Sequence, residues 1–273
     1  MDRVGLIAGN GRFPLVFARG ARAAGVEVIS VAHVGETEAE LADLVASLTW
    51  IKVGELGKII DVFKQHGLSR AVMAGGIRKA TLFDNFAPDE RGLAFLQRLP
   101  HLGDDSVLRG IAEELESEGI AVVESTLFVP SLMADEGVMT AKAPTPAQWD
   151  DIRYGMRVAR AVGAWDVGQS VVVKGGVVVA VEAVEGTDAA VRRGAALGKG
   201  DAVVVKTSKP GQDLRFDVPA VGRDTVGVFA EAGVAVLALE AGRTLMLDKQ
   251  ELLAEADARG LCIVGVRAEG QDA

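Results

Sequence analysis

The chain has 273 residues and a formal net charge of −9, long enough for one large domain or two ordinary ones. The acidic balance, without any basic run interleaved with aromatics, excludes nucleic acid as a partner, because such binding rests on Lys and Arg contacts to phosphates. A single cysteine, Cys262, excludes a disulfide framework and suits a core position in a reducing, cytoplasmic compartment.

The predicted elements run as follows. Residues 1–20 read as strand, glycine turn and helix rather than as a cleaved leader, and no apolar run approaches the roughly 18 residues of a spanning helix. Strands are predicted at 4–8, 26–32, 49–53 and 70–74, alternating with helices at 14–24, 38–47 and 55–66. Helices at 89–99 and 104–118 lead to a strand at 120–124. The apolar excess is Val, Ala and Leu rather than aromatics, the composition of a buried parallel sheet under small-residue helices. Residues 1–130 therefore predict a doubly wound, Rossmann-like α/β domain. Between 131 and 146 the periodicity stops and Gly137, Pro144 and Pro146 gather, which predicts a linker. Residues 147–273 predict a second α/β domain with a mixed sheet. It has a helix at 147–161, a hairpin of 171–174 and 177–182 across Gly175–Gly176, and a helix from 188. Strands at 202–206, 234–239 and 261–266 then alternate with helices at 224–232 and 249–259.

Five loops carry candidate chemistry. Gly9, Asn10 and Gly11 form a glycine turn between the first strand and the first helix, where free amides can cradle phosphate. Pro14 stands where the dinucleotide fingerprint needs its third glycine, and the second strand closes on Ser30–His33 without an acid, so a nicotinamide cofactor and a reductase are not expected. Gly75, Gly76 and Arg78 follow the fourth strand, at the end of an open sheet where ligands bind, and Arg78 is placed to meet phosphate or uracil. Gly103, Asp104 and Asp105 open a helix, with one acid capping it or contacting a metal or ribose. In the second half, Glu185, Gly186, Thr187 and Asp188 lie between a strand and a helix, with Thr187 as the expected N-cap and Arg192 one turn on. The loop 206–219 collects Lys206, Lys209, Asp213, Arg215 and Asp217 as it leaves a buried strand. His33, His66 and His101 are too scattered for a zinc site.

Together GLIAGNGRFP (5–14), GELGK (54–58), GDD (103–105), GQS (168–170), VEAVEGTDAAVRR (181–193) and KPGQDLRFDVPAVG (209–222) resemble the UDP-2,3-diacylglucosamine pyrophosphatases of the LpxI type over almost the whole chain. The resemblance implies hydrolysis of UDP-2,3-diacylglucosamine, a lipid-linked nucleotide sugar, to 2,3-diacylglucosamine 1-phosphate (lipid X) and UMP in lipid A biosynthesis. It implies a divalent cofactor, Mg²⁺ or Mn²⁺, with Asp217 in the position of the family's metal-dependent acid. UDP is then expected on the first domain and the acyl-sugar phosphate on the second, with the domains closing over the substrate. Asp188 or Glu185 is expected to hold the metal or orient water. Thr187, Arg192, Lys206 and Lys209 are expected to bind the sugar phosphate, with Gln169 of the GQS motif also in the substrate site. Peripheral contact with the inner membrane surface and a homodimer are compatible with this reading. A nucleotide-sugar transferase or epimerase, and a non-catalytic nucleotide-sugar-binding regulator, stay open as alternatives.

Overall fold

A computed structural model describes residues 2–78, 86–99 and 103–267, with only the backbone of Asp104 and Asp105; His101 lies outside the described residues. The chain divides into two compact units. One comprises Met1–Pro130 with Asp213–Asp217, the other Ser131–Gln212 with Val218–Ala273.

The first unit is built on a parallel sheet of β1 (Arg3–Ala8), β2 (Glu27–His33), β3 (Ser47–Ile51), β4 (Arg70–Ala74) and β5 (Ala121–Val122), in the order β3-β2-β1-β4-β5. Its central strand is apolar on both sides, as a strand covered on both faces must be. Leu6 and Ala8 face α1 (Phe13–Ala23), packing with Leu15, Phe17 and Ala18. Ile7 faces the other way, towards Ile59, Ile60 and Phe63 of α2 (Leu56–Gln65) and Leu115 of α4 (Asp104–Ser117). The helix α3 (Glu90–Arg98) is capped by Asp89, whose side chain accepts from the Gly92 amide. The helix predicted at 38–47 is instead a short 3-10 turn, Ala39–Asp43. Parallel pairing of Ser47–Ile51 with Ile29–His33 takes the end of that stretch into the sheet. Few residues then remain for an α-helix, and Leu41 is its one buried anchor. Segment 213–217 contributes Phe216 to the core around Ile59 and Phe63. Arg215 grips Asp213 through Nε–Oδ1 and Nη2–Oδ2 contacts of 3.0 and 2.8 Å and reaches Glu116 at 3.0 Å. The Arg215 hydrogen bond holds the Asp213 carboxyl below its usual range.

The second unit holds a mixed sheet in the order β6-β13-β11-β9-β7-β8. Its strands are β6 (Gly137–Val138), β7 (Ser170–Lys174), β8 (Val177–Val181), β9 (Ala202–Lys206), β11 (Val234–Glu240) and β13 (Cys262–Val266). The three inner strands β9, β11 and β13 run parallel, while β6 and β7 join them antiparallel. The helix α5 (Pro146–Gly163) covers one face through Ile152, Met156 and Ala159. On the other face lie α6 (Thr187–Gly198), α7 (Arg223–Glu231) and α8 (Lys249–Ala258), through Val191, Phe229 and Leu252. A short pair, β10 (Ala220–Val221) with β12 (Leu245–Met246), completes the unit. Cys262 is buried, as its apolar setting predicts.

Residues 131–146, expected as a linker, are woven into this unit. Gly137 and Val138 pair with Gly265 and Val264, the Ala134 amide donates to Thr244 O at 2.8 Å, and the Met139 amide donates to Ile263 O at 2.9 Å. Backbone groups satisfied this way belong to the sheet, whatever the proline and glycine content suggests. Thr145 and Gln148 then close a capping box, and Pro146 opens α5 where its missing N–H costs least. The hairpin turn Gly175–Gly176 forms as predicted, with φ of 58° and 77°. Among the described residues no helix is long and apolar enough to cross a membrane.

Candidate functional site

In the first unit the chain leaves β1 towards β2 on one side and reaches β4 on the other, so the β1/β4 junction is the switch point at which open α/β sheets place ligands. Both glycine turns of that half lie there, and they lock into each other. The Gly9 amide donates to Ala74 O at 2.8 Å and the Asn10 amide to Gly76 O at 2.7 Å. A Cβ on Gly9 would lie 2.3 Å from Gly76 O, which is why no other residue fits. The expected phosphate cradle is corrected accordingly, since two of its amides are already taken. Gly11, with φ +78° and open space around its Cβ position, remains at the rim.

Glu36 fastens this junction. Its buried carboxylate accepts from Asn10 Nδ2 at 2.7 Å, from the Arg78 amide at 3.2 Å and from Arg78 Nε at 3.1 Å. Arg78, expected on a phosphate or a uracil, is thus held by Glu36 and by the carbonyl of Gly35. The sequence pattern does not single out Glu36. The one available signal is an acid shortly after β2, the region where dinucleotide folds carry theirs. Beside it, Ala8 O accepts from Thr37 Oγ1 at 2.6 Å and pairs with His33 Nδ1 at 2.9 Å, so that nitrogen carries the proton. Burial pushes the His33 pKa below its ordinary value and leaves the ring neutral. Further along, α4 opens at Asp104 with Gly103 at its N-cap, so neither Asp104 nor Asp105 takes the capping position.

In the second unit a cleft of about 380 Å³ is lined by Glu185, Gly186, Thr187, Asp188, Lys206, Ala220 and Thr225. Gly186, with φ 81°, is the N-cap of α6 and Thr187 its first residue, which corrects the expected Thr187 cap. The Thr187 hydroxyl donates to Glu182 Oε1 at 2.7 Å, while Lys206 Nζ donates to Thr187 Oγ1 at 3.4 Å. Glu182 and Lys206 are 9% and 7% exposed, unusually low for ionic side chains. Asp188 is exposed at the cleft.

Other expected residues sit differently. Arg193, not Arg192, meets Glu185, and it also donates to Val181 O at 3.0 Å; Arg192 is exposed. The Arg193 hydrogen bond holds the Glu185 carboxyl below its usual range. Lys209 pairs with Asp166, and its amide donates to Gln212 Oε1 at 2.7 Å. Gln169 Oε1, Glu182 Oε2, Ser170 Oγ and Thr207 Oγ1 are buried without a hydrogen-bond partner. Next to them the buried Glu240 accepts from the Ser208 amide and hydroxyl at 2.6 and 2.7 Å, and Arg243 Nε donates to the same hydroxyl at 2.8 Å. Asp217 is exposed. Among the described residues no three His, Cys, Asp or Glu side chains converge on one point. A larger hollow of about 550 Å³ lies against the β7–β8 turn, but its Asp151 is occupied by the amides of Gly175 and Gly176 at 2.9 and 2.6 Å.

Comparison with known proteins divides the chain near the same point, although residues 213–217, part of the first structural unit, fall within the second family domain. Residues 3–132 match the LpxI N-terminal domain family and residues 135–264 the LpxI C-terminal domain family. The UDP-2,3-diacylglucosamine pyrophosphatase LpxI of Caulobacter vibrioides is 35% identical over 277 residues, spanning 97% of this chain and 98% of that protein. Two solved structures that the chain is similar to overlap with it only remotely. The precorrin-6A reductase CobK overlaps with a TM-score of 0.32 at 13% identity, covering 100% of this chain and 90% of its own. The biotin carboxylase domain of a thermophilic 2-oxoglutarate carboxylase overlaps with a TM-score of 0.28 at 14% identity, covering 64% and 30%. Overlaps that low carry no argument. The matches to both LpxI domains and to a relative along its full length do, and by them this chain belongs to the LpxI family.

Proposed function

We propose that the chain hydrolyses the pyrophosphate bond of UDP-2,3-diacylglucosamine to 2,3-diacylglucosamine 1-phosphate and UMP, a step of lipid A biosynthesis. The observation that carries this reading is the 35% identity, along the full length of both chains, to the Caulobacter vibrioides pyrophosphatase. The cleft of the second unit supports it, for Lys206 and the first turn of α6 form an anion site beside a carboxylate-lined rim. In this reading Lys206 and the amides opening α6 hold the phosphate on the acyl sugar. The glycine turns, clamped by Glu36, form a stiff platform for the uridine nucleotide.

A divalent cation, Mg²⁺ or Mn²⁺, would neutralise phosphate charge as a Lewis acid. The residues present fit such an ion in one manner. No carboxylate cage exists among the described residues, and Asp217 is an exposed carboxylate on a charged loop. That suits a cation held by one acid together with waters and substrate oxygens, the usual habit of Mg²⁺. The substrate's acyl chains would bring the protein to the inner membrane surface. The deciding experiment is phosphorus NMR of products formed by the purified chain in oxygen-18 water with Mg²⁺ or Mn²⁺. UMP and a sugar 1-phosphate, one of them labelled, are expected, and excess EDTA is expected to abolish turnover. No UMP would end the proposal, and full turnover in chelator would end its metal component.

A further inference from the structure

The hydrogen bonds around Thr187 can run in only one direction. A threonine hydroxyl has a single proton, an ionised carboxylate only accepts and an ammonium only donates. With Glu182 Oε1 at 2.7 Å and Lys206 Nζ at 3.4 Å, the order is Lys206 to Thr187 to Glu182. The Thr187 proton is therefore committed to Glu182, and what the hydroxyl offers the cleft is its lone pairs. Thr187 is thus in no position to donate to a phosphate, the role its place at a helix start suggests.

Glu182 is itself held firmly. Its amide donates to Ser170 O at 2.9 Å, and Gly168 lies so close that a Cβ there would come within 2.1 Å of Glu182 O. The other carboxylate oxygen, Oε2, is buried with no hydrogen-bond partner. So buried a carboxylate orients its one hydroxyl donor strongly, because the low dielectric strengthens the bond and penalises its loss.

We propose that Glu182 is a positioning residue for the anion site. By taking the Thr187 proton it turns the hydroxyl lone pairs towards Lys206 and so fixes the ammonium beside the first turn of α6, where a phosphate monoester binds. The proposal rests on the reading of this cleft as the sugar-phosphate site. It makes a prediction opposite to that of simple charge. Coulomb's law says that deleting a carboxylate near an anion site tightens anion binding. Deleting a positioning carboxylate loosens it.

The test uses the full chain and two soluble probes, inorganic phosphate and N-acetylglucosamine 1-phosphate, titrated by calorimetry on variants whose melting shows them folded. Glu182→Ala and Thr187→Val are expected to bind about tenfold more weakly, while Thr187→Ser and Glu182→Gln, which keep the hydroxyl and an acceptor oxygen, stay within about threefold of the parent. In turnover assays the loss should fall on KM more than on kcat. If Glu182→Ala does not fold, the Thr187→Val and Thr187→Ser pair decides. Equal or tighter binding by Glu182→Ala or Thr187→Val overturns the proposal, as does a Thr187→Ser variant as weak as Thr187→Val, or a parent protein that binds neither probe. The expected binding pattern without any UMP release would remove the hydrolase reading and leave this relay standing. UMP release without the pattern would do the reverse.

Discussion

The strand ends of the two sheets treat their polar groups in opposite ways. In the first unit Asn10, His33, Glu36, Thr37 and Arg78 bond to one another and to strand carbonyls, closing the network on itself. In the second unit, Gln169, Ser170, Glu182 and Thr207 each bury a polar atom that has no partner. A closed network stiffens the turns it joins. An unpartnered buried atom costs on the order of 1–3 kcal/mol, and native proteins retain such atoms where water, strain or a ligand accounts for them. The contrast holds between the β1/β4 junction and the strand ends of the second unit, not between the units as wholes, since Ser125 Oγ of the first unit is also buried without a partner.

The largest effect should come from Asp217. Asp217 is exposed, so Asp217→Asn should leave the melting temperature almost unchanged while turnover of UDP-2,3-diacylglucosamine falls by about 10²-fold or more, the scale of one electrostatic catalytic group. Near-normal turnover would show that another carboxylate does this work. The comparison itself breaks or holds on a pair of stability measurements. Glu36→Ala strips Asn10 and Arg78 of their shared acceptor and should cost about 2 kcal/mol in denaturant unfolding, whereas Ser170→Ala removes a hydroxyl that already lacks a partner and should fall within about 0.5 kcal/mol of zero. Equal costs for the two would erase the distinction between closed and unsatisfied networks.

The smallest effect is a pH slope. Burial keeps His33 neutral in the folded protein, with its pKa below the ordinary 6.5, so the unfolded chain binds the proton more readily. Its contribution to stability is complete above about pH 6.5 and is lost as the pH falls from there towards the lowered folded value. Denaturant midpoints measured between pH 7.5 and 5.5 should decline, and His33→Asn should flatten that decline. An unchanged slope would mean that other groups carry it.

Much of the architecture is legible in local pattern. Strand 70–74, the helices at 55–66 and 104–118 and the Gly175–Gly176 hairpin follow from periodicity and turn chemistry, which act over a few residues. The misread stretches share a cause. Residues 131–146 look like a linker because β6 is only two residues long and draws its pairing from β13, more than a hundred positions away. Arg192 and Arg193 are equivalent in a sequence; the orientation of α6 against Val181 and Glu185 selects Arg193. Beyond its place shortly after β2, nothing local singles out Glu36, because its partners lie 26 and 42 positions away.

The sequence by itself determined the alternation of strand and helix, the glycine turns at the ends of β1 and β4, and the motifs that place the chain in its family, since each is written in neighbouring residues. Only the tertiary structure decided which polar groups meet. It directed the Gly9 and Asn10 amides to Ala74 and Gly76, and Arg78 to Glu36. It also packed Phe216 into the first unit's core and turned the Thr187 proton towards Glu182. The physical reason is that a hydrogen bond is decided within about 3 Å and a few tens of degrees, a precision that residue type and spacing do not contain and that packing of distant segments supplies.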